Sequence, residues 1–281
     1  MAIFGANIGT ATKKFTARYD LEAALPNEKN IISYFQRNAM YEADVAAIMV
    51  RVLGDGDMAV DVGANAGFFT ILMAHLVGAN GKVVSFEPGA NTVNRLKNNI
   101  KLNHLDNVTL IERPVSNREE EVTFHLNSDD SGGNALWNPA DFPINYKSQA
   151  TELSQTMTSI TLDNVFMKNS LPIPKLIKID TEGAEQRVLE GAKRLITGAA
   201  IPFIIAELHA FGLEKMGHSQ TSLRSLMSEL GYSTFLLYYD GRLPKLVPPS
   251  TNIESQQFIN LLFSTPENIS RYWPVENHTP G

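Results

Sequence analysis

The fold is decided by the stretch Val60-Asp-Val-Gly-Ala-Asn-Ala-Gly-Phe68. The apolar run at residues 58–62 predicts a short buried strand, and residues 66–77 predict the helix that follows it. Between them, Gly63 can adopt a positive φ and turn the backbone sharply, while Gly67 lets the helix start close to the sheet. A strand that turns through glycines into a helix is typical of loops that hold a nucleotide-type ligand against the main chain. A glycine-rich turn without a ligand is the alternative.

The alternation of strand and helix continues after this loop. Seven strands are predicted, at residues 58–62, 82–87, 108–112, 175–180, 202–208, 232–238 and 257–263. Helices are predicted at residues 33–53, 66–77, 91–103, 184–196 and 222–230. This order predicts an α/β, Rossmann-like fold with a seven-stranded, mostly parallel sheet, helices on both faces and an N-terminal helical extension. The last two strands lack a helix between them and are expected to pair antiparallel.

The alternation lapses between the third and fourth predicted strands. Residues 121–126 alternate like a strand, whereas residues 127–156 are rich in Ser, Asp, Asn, Gly and Pro. Long loops in compact domains are usually functional or disordered, and we interpret this one as a lid. The predicted organisation is therefore an arm and helical extension at residues 1–54, one domain at residues 55–265 and a C-terminal tail at residues 266–281.

The composition limits the classes of function. The 281 residues include 24 Lys and Arg against 30 Asp and Glu, a net charge of −6, and they include no cysteine. The lack of cysteine excludes disulfides, thiolate metal sites and cysteine nucleophiles. The acidic balance argues against broad binding to nucleic acid or to an anionic membrane, because both need a basic surface.

Membrane and export signals are not recognisable in the sequence. No stretch approaches the roughly 20 apolar residues of a membrane span. The N-terminal residues have neither the apolar length nor the order of charges of a secretory signal. We therefore expect a cytoplasmic protein without a membrane partner.

Three ligands compete for the glycine-rich loop. A P-loop needs a Lys-Ser/Thr pair that this chain lacks, and a dinucleotide fingerprint needs a glycine where Asn65 stands. S-adenosylmethionine has no phosphate, and the carboxylate of Asp61 at the strand end suits its ammonium and sulfonium groups. Glu87 ends the second predicted strand, 20 residues after Gly67. A carboxylate there is expected to accept hydrogen bonds from both ribose hydroxyls.

Acidic residues follow the fourth predicted strand, in Lys178-Ile-Asp-Thr-Glu-Gly-Ala-Glu185. Asp180 is expected at the same edge of the sheet as the glycine-rich loop, where it could face a sulfonium or orient an acceptor hydroxyl. For Glu182 and Glu185, capping of the next helix is the alternative, because the helix dipole stabilises carboxylates at that position.

Four motifs together resemble those of the FkbM-type, S-adenosylmethionine-dependent methyltransferases. They are Val60-Asp-Val-Gly-Ala-Asn-Ala-Gly-Phe68, Ser85-Phe-Glu-Pro88, Ser159-Ile-Thr-Leu-Asp163 and Leu176-Ile-Lys-Ile-Asp-Thr-Glu-Gly-Ala-Glu185. The resemblance runs from about Glu42 to His209. It implies a class I methyltransferase domain that methylates hydroxyls of sugars or other small polyhydroxylated molecules. The family often has an acidic residue where Asn164 stands, which weakens the argument for a metal in that segment.

The resemblance also implies where the cofactor contacts the chain. Glu42 matches an acidic position that can reach the cofactor's amino group, with a solvated helix residue as the alternative. Ser131 and Asn134 are expected in a lid close to the methyl group, and Val115 is expected near the adenine. The full set of expected cofactor-binding residues is Glu42, Asp61, Gly63, Ala64, Asn65, Gly67, Phe68, Glu87, Pro88, Val115, Ser131, Asn134 and Asp180.

The candidate catalytic residues are Asp180, Glu182 and His209. His209 follows the fifth predicted strand at the same edge and is either a base or proton relay or a hydrogen-bonded structural histidine. Removal of a proton from a hydroxyl needs a base or a metal, and these three side chains can act as base or hold Mg²⁺ or Mn²⁺. The sequence leaves both roles open.

The expected partner is a small hydroxylated acceptor, with no stable nucleic-acid partner and with homo-oligomerisation left open. Two alternatives to this function remain. One is a nucleic-acid methyltransferase on the same fold. The other is a protein that binds S-adenosylmethionine without catalysis.

Overall fold

The structure is a computed structural model that describes residues 5–8, 11–14, 41–127, 131–142, 153–254 and 258–274. Its strands are β1 (Gly5–Ile8), β2 (Ala11–Lys14), β3 (Met58–Val62), β4 (Lys82–Phe86), β5 (Val108–Ile111), β6 (Glu121–Leu126), β7 (Leu153–Thr158), β8 (Leu176–Ile179), β9 (Phe203–Leu208), β10 (Ser233–Leu236), β11 (Lys245–Val247) and β12 (Ile259–Ser264). Its α-helices are α1 (Ala43–Val52), α2 (Phe68–Val77), α3 (Ala90–Leu102), α4 (Leu162–Asn169), α5 (Glu185–Glu190), α6 (Lys193–Ala199), α7 (Ala210–Lys215), α8 (Gln220–Glu229) and α9 (Pro266–Tyr272).

The central sheet has the strand order β11-β10-β12-β9-β8-β3-β4-β5. Strands β9, β8, β3, β4 and β5 run parallel, whereas β12, β10 and β11 pair antiparallel. The predicted α/β fold with a mostly parallel sheet is therefore confirmed, as is the antiparallel pairing of the last two predicted strands. The chain proceeds outward from β3 in one direction and from β8 in the other, so the switch point lies between β3 and β8. Ligands of such sheets bind beyond the carboxyl ends of the strands at this point.

The central sheet contains β11 in addition to the seven strands predicted for it. It has three residues and lies in the proline-rich connection between β10 and β12. The buried guanidinium of Arg224 in α8 donates hydrogen bonds to the carbonyl oxygens of Val247 at 3.3 Å and Pro248 at 2.6 Å. A strand of three residues is too short to give a periodic signal, and the side chain that holds it lies far away in the chain. The sequence therefore did not predict it.

Alternation along the strands sends ionisable side chains to one face of the sheet. Alternate residues of Met58–Val62 belong to the apolar core beneath α4–α8, whereas Ala59 belongs to the core that contains α1, α2 and α9. Successive side chains of a strand point to opposite faces. Asp61 in β3, Lys178 in β8 and Glu207 in β9 therefore all point to the face of α1, α2 and α9.

The helices differ from the prediction in several places. The helix predicted at residues 184–196 is divided into α5 and α6, and a Cβ added to Gly191 at the break would lie 2.2 Å from the backbone oxygen of Ser116. Residues 33–40 of the first predicted helix lie outside the described residues, and α1 begins at Ala43. Residues 266–272, assigned to the tail by the sequence, form α9, and its Ile269 is buried in the core.

The predicted lid at residues 127–156 contains regular structure among its described residues, whereas residues 128–130 and 143–152 lie outside them. β7 pairs antiparallel with β6, and two 3₁₀ turns lie at Ser131–Gly133 and Pro139–Asp141.

Of the described helices, none has the length and apolar character that crossing a membrane requires.

Candidate active site

Gly63 makes the sharp turn that the sequence predicts at the end of β3. Its φ is +81°, and the backbone N–H groups of Gly63 and Ala64 each donate to the carbonyl oxygen of Phe86 at 3.0 Å. A Cβ added to Gly63 would lie 1.7 Å from the backbone oxygen of Asp180. The turn therefore requires glycine because the end of β8 passes directly against it, whether or not a ligand is bound.

Asn65 and Gly67 complete the loop between β3 and α2. Asn65 has a φ of +48°, a conformation that Asn tolerates better than most residues. Gly67 precedes α2 with a φ of +92°, and a Cβ there would lie 2.2 Å from Cδ1 of Leu96 in α3. The helix thus begins at a close contact, as predicted, but the neighbour is α3 rather than the sheet.

Glu87 ties this loop to the end of β4. Its side chain is 5% exposed. Its Oε2 accepts a hydrogen bond from the backbone N–H of Asn65 at 2.8 Å, and its Oε1 accepts one from Gly89 at 2.9 Å. Burial raises the pKa of Glu87 to about 7, although the two hydrogen bonds oppose that shift. Each carboxylate oxygen has a second lone pair, so Glu87 can still accept hydrogen bonds from a ligand.

Asp61 lies under the loop rather than at its surface. The residue is fully buried, and its Oδ2 accepts a hydrogen bond from Oγ1 of Thr70 at 2.6 Å. Oγ1 of Thr70 also lies 2.8 Å from Oγ of Ser85 in β4. Burial raises the pKa of Asp61, and Lys178 opposes that shift. Asp61 thus fastens β3, α2 and β4 together, and its contact with a cofactor stays a prediction.

Lys178 is the buried cation beside these carboxylates. Its Nζ donates to Oδ2 of Asp180 at 2.8 Å and lies 4.8 Å from the centre of the Phe69 ring. Burial lowers the pKa of Lys178, but the charges of Asp180, Asp61 and Glu42 outweigh burial and raise it. Lys178 is therefore charged at neutral pH and holds Asp180 in a fixed orientation.

Glu42 reaches the same edge of the sheet from the start of α1. It has a φ of +40°, and its Oε2 accepts a hydrogen bond from Nδ2 of Asn260 at 3.4 Å. Burial raises the pKa of Glu42 to about 7, and the charge of Asp180 acts in the same direction. The structure places Glu42 among the other acidic groups, and its predicted contact with a cofactor's amino group stays a prediction.

Two glycines bring the loop after β8 against the start of α7. A Cβ on Gly183 would lie 2.2 Å from the backbone carbonyl carbon of Gly212, and a Cβ on Gly212 would lie 2.4 Å from the backbone oxygen of Glu182. That oxygen also accepts a hydrogen bond from Nε1 of Trp137 at 2.5 Å. Oε1 of Glu185 accepts a hydrogen bond from the backbone N–H of Gly183 at 3.0 Å. Glu185 thus holds the backbone that precedes α5, and its capping of that helix stays a prediction. The Glu182 side chain faces His209.

His209 is held in one tautomer. Its Nδ1 accepts a hydrogen bond from the backbone N–H of Gly212 at 2.7 Å, so the proton of the neutral ring is on Nε2. Nε2 lies 3.4 Å from Oε2 of Glu182. Burial lowers the pKa of His209, which favours the neutral ring. Neither nitrogen then has a free lone pair, and this geometry favours orientation of Glu182 over the predicted roles of base and metal ligand.

Glu207 is a candidate site residue that the sequence did not predict. It is the second-last residue of β9, its side chain is 9% exposed, and its Oε2 has no hydrogen-bond partner among the described residues. Single carboxylate oxygens of Asp180, Glu182 and Glu207 all lie within 4.8 Å of one another. Burial and the charges of Asp180 and Glu182 raise the pKa of Glu207 well above its ordinary value. We call these three residues the acidic cluster. In the sequence, Glu207 is a carboxylate that interrupts an apolar strand near its carboxyl end, and this signal could have identified it.

Aromatic rings lie beside the acidic cluster, around His209. Phe258 is 55% exposed and stacks on the His209 ring at 4.6 Å between centroids. The rings of Phe142 and Trp137 lie 5.5 Å and 5.8 Å from the same imidazole. We call Trp137, Phe142 and Phe258 the aromatic wall.

Ser131 and Asn134 of the predicted lid lie beside the glycine-rich loop. Oγ of Ser131 donates to Oδ1 of Asn65 at 3.0 Å. A Cβ added to Gly89 would lie 3.1 Å from Nδ2 of Asn134. The structure therefore brings this segment to the loop, as predicted, while its contact with a cofactor stays a prediction.

The other predicted cofactor residues belong to the surrounding packing. Ala64 and Val115 are buried, and Val115 forms a parallel bridge with Ile160. The Phe68 ring packs edge-on against Tyr41 at 5.7 Å, and Pro88 is half-buried directly after Glu87. Contacts of these four residues with a cofactor stay predictions.

The chain matches the family model of the methyltransferase FkbM domain over residues 61–234, more than half of its length. The hexuronic acid methyltransferase AglP of Haloferax volcanii is 26% identical over 201 residues, which are 70% of this chain and 72% of the relative.

Two solved structures resemble the chain at low sequence identity. The methyltransferase FkbM of Methylobacillus flagellatus is 15% identical with a TM-score of 0.46, and the match covers 84% of this chain. The chain spans 59% of the length of that protein. A SAM-dependent methyltransferase of Aquifex aeolicus is 12% identical with a TM-score of 0.43, and the match covers 88% of this chain and 97% of that one.

Proposed function

Because the chain belongs to the FkbM methyltransferase family, we propose that it transfers the methyl group of S-adenosylmethionine to a hydroxyl of a sugar or similar polyhydroxylated molecule. The observation that carries this proposal is the meeting of the loop at residues 63–67, the acidic cluster and the aromatic wall at one edge of the sheet. The name of the Haloferax volcanii relative states a hexuronic acid as its acceptor, and this supports a sugar as the acceptor here.

The residues of the loop fit S-adenosylmethionine. The buried carboxylate of Glu87 can accept hydrogen bonds from the ribose hydroxyls beside the turn at Gly63. Asp180, Glu42 and Glu207 gather carboxyl groups at the same edge, where the cofactor's ammonium and sulfonium would stabilise their ionised forms. A phosphate-bearing cofactor would be repelled by these carboxylates, so the charge of the site favours a cationic ligand.

The aromatic wall and the acidic cluster together suit a polyhydroxylated acceptor. Aromatic side chains line small-molecule sites, and a few polar groups fix the orientation of the ligand. The exposed ring of Phe258 offers an apolar surface to a sugar ring, and the carboxylates of Asp180 and Glu182 offer acceptors to its hydroxyls.

Methyl transfer breaks the methyl carbon–sulfur bond, forms a carbon–oxygen bond and removes the proton of the acceptor hydroxyl. S-adenosylmethionine supplies the activated methyl group. The chain aligns the acceptor oxygen and takes its proton. We assign that task to Asp180, which Lys178 orients, and to Glu182, whose Oε2 lies 3.4 Å from Nε2 of His209.

An assay of purified protein with S-adenosylmethionine tests this function. We expect formation of S-adenosylhomocysteine and a methylated acceptor with a panel of hexoses and hexuronic acids, and neither product with mixed RNA and DNA. Filter binding with the same nucleic acids is expected to show no retention, because the net charge is −6. Methylation of nucleic acid would contradict the proposal, and cofactor binding without turnover on any acceptor would favour a non-catalytic role.

Replacement of Glu87 tests the ribose contact. We expect Glu87→Ala to weaken S-adenosylhomocysteine binding by about 1–3 kcal/mol, because hydrogen bonds to a charged acceptor are lost. Calorimetry on the folded variant measures this change. Glu112→Ala is the matched control, since Glu112 follows the neighbouring strand β5 and is paired with Lys97 outside the site. Equal affinities of wild type and Glu87→Ala would rule out the contact.

The affinity for S-adenosylhomocysteine is also expected to depend on pH through Glu87. The pKa of Glu87 is about 7, so part of the protein carries a protonated Glu87 below that pH. The ionised carboxylate accepts hydrogen bonds from both ribose hydroxyls, and affinity is therefore expected to rise with pH through about 7 and then to level off. Calorimetry between pH 6 and pH 8 should show a smaller rise in Glu87→Ala than in wild type, whereas identical profiles would contradict this explanation.

A further inference from the structure

We propose that Asp180, Glu182 and Glu207 bind one divalent cation, Mg²⁺ or Mn²⁺, at the carboxyl edge of β8 and β9. One carboxylate oxygen from each residue lies within 4.8 Å of the other two. Hard divalent cations prefer carboxylate oxygens and water as ligands. Neighbouring oxygens around an octahedral Mg²⁺ at about 2.1 Å are about 3.0 Å apart, so shifts of up to about 1 Å in each side chain complete the site.

Glu207 gives a second argument for a cation at this site. Its side chain is nine-tenths buried, and its Oε2 has no hydrogen-bond partner within the described part of the chain. A buried ionised carboxylate without a partner is costly, so such groups are paired, bound to a metal or protonated, and a bound cation would favour the ionised form of Glu207. The nearby Lys178 donates instead to Asp180. A cation at the acidic cluster would supply the partner that Glu207 lacks.

The other two ligands already have groups that orient them. Nζ of Lys178 donates to Oδ2 of Asp180 at 2.8 Å, and Nε2 of His209 lies 3.4 Å from Oε2 of Glu182. Such outer partners are usual around metal ligands, because they fix the direction of the lone pairs. His209 itself is excluded from the ligand set by its tautomer, since its Nδ1 accepts from Gly212 and its Nε2 carries the proton. The structure thus replaces His209, a ligand considered from the sequence, with Glu207.

A cation here would address the acidity of the acceptor. A hydroxyl with a pKa near that of water, about 15.7, yields its proton poorly to a carboxylate, and a bound metal ion lowers such a pKa by several units. This catalytic part of the inference rests on the proposed function. Binding of the cation does not, because it depends only on the three carboxylates.

Binding of Mn²⁺ to the protein without cofactor tests the site. Electron paramagnetic resonance of free Mn²⁺ during titration is expected to show one ion bound per chain, with Mg²⁺ in competition. Glu207→Gln and Glu182→Gln are each expected to weaken binding at least about tenfold, because removal of an orienting neighbour alone costs 10–100-fold. Glu182→Gln has the more exposed side chain and keeps the test valid if Glu207→Gln fails to fold.

Asp57→Asn is the matched control. Asp57 pairs with Lys175 at 2.7 Å at the opposite edge of the sheet, so this variant removes a carboxylate without touching the acidic cluster.

The site is supported if both cluster variants weaken Mn²⁺ binding and the control variant retains it. Absence of one-to-one binding in wild type, or equal binding in all variants, would overturn it. Absence of Mn²⁺ binding together with weaker S-adenosylmethionine binding in Glu207→Gln would also overturn it, because the cluster would then receive the cofactor's own cationic groups. Calorimetry with S-adenosylmethionine reports separately on the proposed function.

Discussion

Asp180→Asn is expected to lower the rate of methyl transfer by about 10²–10⁴-fold, the usual contribution of a positioned proton acceptor. The variant keeps the size of the side chain but removes the charge that Lys178 holds at 2.8 Å beside the acidic cluster. The loss is expected whether Asp180 takes the proton directly or acts through a bound cation. Affinity for S-adenosylhomocysteine is expected to change far less, because Glu87 and the loop at residues 63–67 remain intact.

Steady-state turnover and calorimetry on the same preparation measure this split. The control is again Asp57→Asn, which removes one partner of a Lys–Asp pair of 2.7 Å at the other edge of the sheet and is expected to leave turnover unchanged. A response to metal separates the two mechanisms: chelator should inhibit wild type if a cation takes part and should have no effect if a carboxylate acts alone. Wild-type turnover in Asp180→Asn would eliminate both mechanisms.

Gly63→Ala is expected to lower the free energy of unfolding by about 2–5 kcal/mol and to abolish cofactor binding. About 1–2 kcal/mol comes from the left-handed backbone, since φ is +81° at Gly63. A further cost of roughly 1–3 kcal/mol comes from overpacking, because the new Cβ would lie 1.7 Å from the backbone oxygen of Asp180. Relief of that contact must displace the end of β8 and with it the acidic cluster.

Gly56→Ala is a close control for this prediction. Gly56 has a φ of +82°, but a Cβ there would meet no atom within 4 Å. Gly56→Ala should therefore show the backbone cost alone, about 1–2 kcal/mol, with normal cofactor binding. Urea unfolding and calorimetry measure both variants. Equal stability losses at Gly56 and Gly63 would show that the contact with Asp180 is not tight.

This result would also revise an expectation from the sequence. The glycine-rich loop alone suggests that a side chain at Gly63 would obstruct a ligand. In the structure, the atom against the missing Cβ belongs to Asp180, more than one hundred residues further along the chain. Stability and binding are therefore expected to fall together, because the same contact supports both.

The local pattern of the sequence determined the sheet. Apolar runs that alternate with amphipathic helices predicted the seven main strands, and the glycines at 63 and 67 predicted the turn that follows the first of them. Such features depend on near neighbours in the chain, because side-chain periodicity and positive φ are properties of a few consecutive residues. The position of Glu87 at a strand end, with its carboxylate held beside the loop, follows from the same pattern.

Only the tertiary structure decided how the site is composed. Glu207 joins Asp180 and Glu182 because β8 and β9 are adjacent. Their register puts the side chains of Glu207 and Asp180 on the same face of the sheet. The Nε2 of His209 faces Glu182 because its Nδ1 caps the helix that follows it, and Gly183 and Gly212 allow the two backbones to touch. Strand register, backbone contact between distant segments and the tautomer of a histidine all depend on partners far apart in the chain. No local pattern encodes them, so the sequence located the edge of the sheet while the packed structure selected the groups that meet there.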